Sequence, residues 1–126
     1  MASLKEYSIC KVATVTSVDM KTAAKTILYT VPPGKTFYPV MVVIRETSAS
    51  LAGGTEYDLG TGANADTWVQ NTDLSAMTTI GTDFKVIDSG GTKYTDCAAL
   101  SEFGIKVITG STAAATATID VFGFLA

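Results

Sequence analysis

The sequence predicts an all-β chain: a single-domain antiparallel β-sandwich, a jelly roll of about eight strands, spanning residues 1–126. Three observations carry this. Runs rich in Val, Ile, Thr, Tyr and Phe recur along the whole chain. Turn-forming Gly, Pro, Asn and Asp separate them at intervals of about 8–15 residues. No segment places apolar residues at the 3.6-residue spacing of an amphipathic helix.

The elements follow in order. Tyr7–Val18 reads as a strand, kinked near Ala13, and residues 19–25 as a loop, with a single helical turn as the alternative. Residues 26–45 hold two β-rich runs around Pro32-Pro33-Gly34-Lys35. Pro33 presets φ at the first central position of a type II turn, and Gly34 supplies the positive φ that the second requires. The second run is the most apolar in the chain. Strict alternation puts Phe37, Pro39, Met41 and Val43 on one face and Tyr38, Val40, Val42 and Ile44 on the other. Both faces are apolar, so the strand is expected to be covered on both sides, by the core and by a partner. Pro39 has no N–H to give a ladder and belongs at an edge, a bulge or a break.

Residues 47–54 form a small-residue loop, Glu56–Gly60 a short strand, 61–66 a turn, 67–70 a further short strand and 71–75 a turn. Residues 77–80 and 83–87 are expected to pair across Gly81-Thr82, and 88–91 to turn. Residues 93–100 are ambiguous. Phe103–Thr109 puts Phe103, Ile105 and Val107 on one face. The final strand, 114–124, alternates Ala117, Ile119 and Val121 with Thr116, Thr118 and Asp120. Phe122, Phe124 and Leu125 then turn its outward side apolar. They belong under a neighbouring element or in an interface.

Composition sets bounds. A chain of 126 residues buries roughly two-thirds of the surface its unfolded form exposes and needs neither disulfide nor metal to hold a core. The net charge of −3 argues against nucleic acid as the main partner. Residues 1–45 carry six cations against two acids, a net of +4; residues 46–126 carry three lysines against ten acids, a net of −7. Either a compact fold averages this out, or it gives the molecule a basic and an acidic end suited to docking between copies or onto a scaffold. The N-terminus lacks the apolar segment of a signal peptide, and Val40–Ile44 is too short to cross a bilayer. Synthesis in a cytoplasm, with no membrane partner, is the expectation. Cys10 and Cys97 are expected to be small buried apolar residues, with a disulfide as the alternative.

The motifs offer little catalysis. There is no histidine, which removes Ser-His and Cys-His nucleophile pairs and the commonest metal ligand. No cofactor and no metal are expected. Asp58-Leu59-Gly60-Thr61-Gly62-Ala63 has the look of a nucleotide-binding glycine loop but lacks the βαβ setting. Val86-Ile87-Asp88-Ser89-Gly90 resembles an aspartic-protease signature; two Asp88 carboxylates sharing a proton in a homodimer is the remote alternative. Asp58, Asp66 and Asp73 with Asn64 and Asn71 offer oxygen ligands for calcium, without EF-hand spacing. Tyr29, Tyr38, Tyr57, Tyr94 and Trp68 would make a sugar-stacking face if they met, which keeps a carbohydrate- or receptor-binding module as the main alternative.

Several segments in fixed order carry a resemblance: Val18-Asp19, Thr26–Phe37 (TILYTVPPGKTF), Val42–Arg45, Asp66-Thr67-Trp68, and Phe103–Leu125 (FGIKVITG…ATATIDVFGFL). Together they are similar to a family of small proteins found in tailed-bacteriophage genomes. The resemblance implies a non-enzymatic jelly-roll virion component: a head decoration protein, or a fibre, tail or adaptor module, acting as a trimer or larger ring on the major capsid or another virion protein. It carries no catalytic residues. On the residue-level reading, the surface offered to sister copies runs through Phe37, Met41 and Val43 or through Tyr38, Val40, Val42 and Ile44, with Phe122, Phe124 and Leu125 at the chain end.

Overall fold

A computed structural model describes residues 8–90 and 95–126. Among them are eight strands and no helix: β1 (Cys10–Asp19), β2 (Lys25–Thr30), β3 (Phe37–Arg45), β4 (Glu56–Gly60), β5 (Val69–Thr72), β6 (Lys85–Asp88), β7 (Glu102–Thr109) and β8 (Thr116–Leu125). They form two antiparallel four-stranded sheets, ordered β1-β8-β3-β6 and β2-β7-β4-β5.

That order is a jelly roll. The chain doubles back on itself about β4 and β5, so that β1 lies beside β8, β2 beside β7, β3 beside β6 and β4 beside β5. The resulting ribbon is then rolled, which adds the β3–β8 and β4–β7 pairings. β1 packs over β2 at one lateral edge. β6 faces β5 across a groove at the other.

The core lies between the sheets. Phe37 of the first sheet meets Tyr29 and Phe103 of the second edge-to-face, with centroids 5.1 and 5.9 Å apart, and Trp68 closes on Phe103 at 5.6 Å. These are favoured geometries for aromatic pairs. Phe103, Ile105 and Val107 are buried, as are Ala117, Ile119 and Val121, so both alternating patterns face the core as read.

The Pro32–Lys35 turn forms, with Gly34 at φ +73° and Lys35 N–H donating to the Pro32 carbonyl at 3.3 Å. It joins strands in different sheets, so it is a crossover rather than a hairpin. The chain kinks near Ala13 through a register shift between Lys11 and Ala13; a second shift follows between Val15 and Val18, where Ser17 takes φ +56°. Tyr7 and Tyr94 fall outside the described residues.

The paired strands expected at 77–80 and 83–87 are not both present. Only β6 forms, because the N–H groups of Thr78 and Thr79 donate to the Asp83 carboxylate, at 3.0 and 2.9 Å, and are lost to a ladder. At the same end of the sandwich the connecting loops lock together. Met20 N–H donates to Ala115 O and Ser111 N–H to Met20 O, while Tyr57 Oη donates to that same Met20 carbonyl at 2.7 Å. Leu51, Leu74 and Met77 are buried beneath.

Candidate interaction surface

The faces of β3 differ from the strict alternation expected of them. The register shifts between Pro39 and Met41, opposite Gly123 and Phe122 of β8. Val40 is the extra residue of a β-bulge, and every side chain beyond it changes face. Pro39 is the cause, because it has no N–H for the ladder at that point. Phe37 and Pro39 point into the core before the bulge, and Val42 and Ile44 after it. Met41 and Val43, expected beside Phe37, stand instead on the outer face with Tyr38.

The outer face of the first sheet is therefore a short grid. Tyr38 lies opposite Phe124, their rings stacked at 5.0 Å with an interplanar angle of 21°. The next row is Lys11, Phe122, Met41 and Asp88, and the one after it Thr14, Asp120, Val43 and Val86. Its apolar members form one band that runs diagonally to the β6 edge, where Val86 and Phe84 are exposed. Of the residues the sequence offered as an interface, Tyr38, Val40, Met41, Val43, Phe122, Phe124 and Leu125 retain surface, while Phe37, Val42 and Ile44 have none and belong to the core.

Beside the band is a polar cluster. Asp120 is almost fully buried, in mid-strand between β1 and β3. Arg45 Nε donates to its Oδ2 at 2.7 Å and Thr14 Oγ1 to its Oδ1 at 2.7 Å. The guanidinium of Arg45, aided by Thr14 and against the effect of burial, holds the Asp120 carboxyl below its ordinary range. Arg45 also meets Glu46 at 2.8 Å.

The other candidate residues do not converge. Asp88 is exposed at the end of an edge strand, where its Oδ1 accepts the Gly90 N–H at 2.8 Å, which is turn geometry. Asp58 accepts the Asn71 N–H, Asp73 accepts from Ser75, and Asn64 accepts from Lys106. Among the described residues no three His, Cys, Asp or Glu are grouped to hold a metal ion. The expected stacking face is divided: Tyr57 is in the core, Tyr29 and Trp68 pack onto it, and Tyr38 is on the outer sheet. Both cysteines are free thiols; Cys97 is buried as expected, but Cys10 is exposed at the start of the edge strand β1. After Gly60 the chain turns, and among the described residues no helix follows.

Sequence reading missed Phe84 and Val86. The signal was present: Val86-Ile87 is an apolar pair in a strand, and successive side chains point to opposite faces, so only one of them can enter the core. Ile87 does, leaving Val86 outside.

No family model matches this sequence, and no curated protein matches it. Among solved structures, the chain is similar to one from the acidic stable capsid structure of Helicobacter pylori bacteriophage KHP30. The TM-score is 0.53 and the identity 11%, over 93% of this chain and 91% of that one. The likeness is one of fold, and it extends over nearly the whole of both chains.

Proposed function

We propose that this protein is a non-enzymatic structural component of a phage virion, a capsid decoration protein that associates with itself and docks on the capsid lattice. The observation that carries the reading is the fold match: this jelly roll is similar in fold, nearly end to end, to a chain from a phage capsid structure. The apolar band on the outer sheet supports it. Tyr38, Met41, Val43, Phe122 and Phe124 are half-buried in the single chain, and a contiguous apolar surface of this kind is what an assembly contact removes from water, at about 25 cal/mol per Å² before entropy costs.

The mechanism is geometric. The band lies on hydrogen-bonded strands and the loops at one end are tied together, so little backbone has to be ordered at the moment of contact. The decisive experiment is co-expression with the major capsid protein encoded in the same genome, followed by sedimentation of the shells. The chain is expected in the shell fraction at a fixed ratio, and Met41→Lys is expected to leave it folded but weaken its retention. A chain that stays in the supernatant and instead binds on a glycan array would sink this reading in favour of a carbohydrate-binding module.

A further inference from the structure

The large exposed apolar side chains are not scattered. Ile80, Phe84 and Val86 lie in or beside β6, on the segment that runs from β5 to β6. Ile9 immediately precedes β1, Ile27 is on β2, and Ile108 is on the adjoining β7. Leu100 donates its N–H to Val31, just past the end of β2. The strand order puts β1 and β2 at one lateral edge of the sandwich and β5 and β6 at the other. The exposed hydrophobics thus fall into two sets on opposite sides of the molecule.

The charges divide along the same line. The segment from β1 to β2 carries Lys11, Lys21 and Lys25 against Asp19. The segment from β5 to β6 carries Asp73, Asp83 and Asp88 against Lys85. The strands next inward do not reverse this. In the second sheet β7 adds Glu102 and Lys106, which cancel, and β4 adds Glu56 and Asp58; in the first sheet β8 adds Asp120 and β3 adds Arg45, which neutralise each other as an ion pair. The basic first third and acidic remainder of the chain become a basic edge and an acidic edge, each with an apolar centre.

We infer that the two edges bind each other between copies: the β5/β6 edge of one chain meets the β1/β2 edge of the next. A surface carrying one net charge repels its own copy and attracts its opposite, so the contact is heterologous, head to tail. Repeated with closing rotation it produces a ring, and the apolar band, which runs out at Val86, continues into that contact. The inference rests on the self-association in the proposed function and names the surfaces that produce it.

The test uses two exposed positions, Ile27 (47% exposed) and Val86 (45%), whose substitution leaves the core untouched. Light scattering on a size-exclusion column gives the mass of the wild type, of Ile27→Asp, of Val86→Asp and of an equimolar mixture of the two variants, with circular dichroism to confirm folding. The wild type is expected at a whole multiple of the monomer mass and each variant at the monomer mass. The mixture is expected at twice the monomer mass, because one intact edge from each variant meets the other. A wild-type oligomer that survives Ile27→Asp but not Val86→Asp overturns the inference, since it marks a symmetric contact through the acidic edge alone. A mixture that stays monomeric overturns it as well. A wild type that is monomeric at every concentration removes self-association itself, and this inference with it, leaving docking on the capsid to the sedimentation experiment.

Discussion

Arg45 reaches diagonally from β3 to Asp120 on β8, bypassing its register partner Thr118, and closes the Nε–Oδ2 contact at 2.7 Å. The pair lets a carboxylate sit in the middle of a sheet with almost no exposure, next to the apolar band. Removing one partner of such a pair leaves the other without its counter-charge. Asp120→Asn is expected to cost about 1–3 kcal/mol in urea unfolding at pH 7.

The same pair sets an acid limit. The folded-state carboxyl of Asp120 lies below its unfolded value, mainly because of the bond to Arg45. Its contribution is therefore complete above the unfolded value, about pH 4, and is lost as the pH falls through the folded one. Asp19 and Asp73 are also lowered, by bonds from Thr22 and Ser75, so the wild type loses stability in acid from several groups. Comparing urea midpoints at pH 7 and pH 3 isolates one of them. The wild type should lose more than Asp120→Asn over that interval; equal losses would remove the pair from the account.

Val42 and Val43 are neighbours with opposite fates, because the bulge at Val40 turns Val42 inward and Val43 outward. The isosteric change to Thr separates them. Val42→Thr buries an unpartnered hydroxyl and should cost about 1–3 kcal/mol, while Val43→Thr should stay within about 0.5 kcal/mol. An Asp at position 43 is a poorer probe, since it would stand directly opposite Asp120. If the order of the two costs were reversed, the bulge would be misplaced.

Gly123 and Gly34 test two different reasons for glycine. A Cβ on Gly123 would strike the Tyr38 carbonyl and the Phe37 ring, in the place where β3 bulges toward β8. Gly34 has open space around it but φ of +73°. Gly34→Ala should cost about 1 kcal/mol, for conformation alone. Gly123→Ala should cost about 1–3 kcal/mol, because backbone must move. Thermal melts of the two variants read the difference directly.

The thiols give a chemical check on the fold. Cys97 is buried, which pushes its thiol up to about 11, whereas Cys10 is exposed. An aromatic disulfide reagent at pH 8 should titrate a single thiol in the folded protein and the second only on unfolding. Immediate reaction of both would contradict the packing of Cys97 against Phe37, to whose backbone it is bonded at 2.8 and 2.9 Å.

Much of the fold was legible in the residues. The alternation in Phe103–Thr109 and Ala114–Phe124 identified the core face of β7 and β8, because the period of two in a strand is a local property. The Pro33-Gly34 turn was legible for the same reason. The short strands β5 and β6 were placed less well. Their positions depend on side chains such as Asp83 capturing backbone N–H groups a few residues away. The candidate surface was half legible: the excess of apolar residues on β3 was visible, but not which of them face outward.

Residue order alone specifies an all-β sandwich of about eight strands, with β3 its most apolar element and with its charge split between a basic beginning and an acidic remainder. Period, turn chemistry and composition are carried by neighbours in the chain. Tertiary structure decided the rest. A single bulge, produced where Pro39 meets β8, chose which valine enters the core, and the rolling of the ribbon carried β1 and β2 to one edge and β5 and β6 to the other. Those outcomes depend on pairings between residues far apart in the chain, which no local pattern encodes.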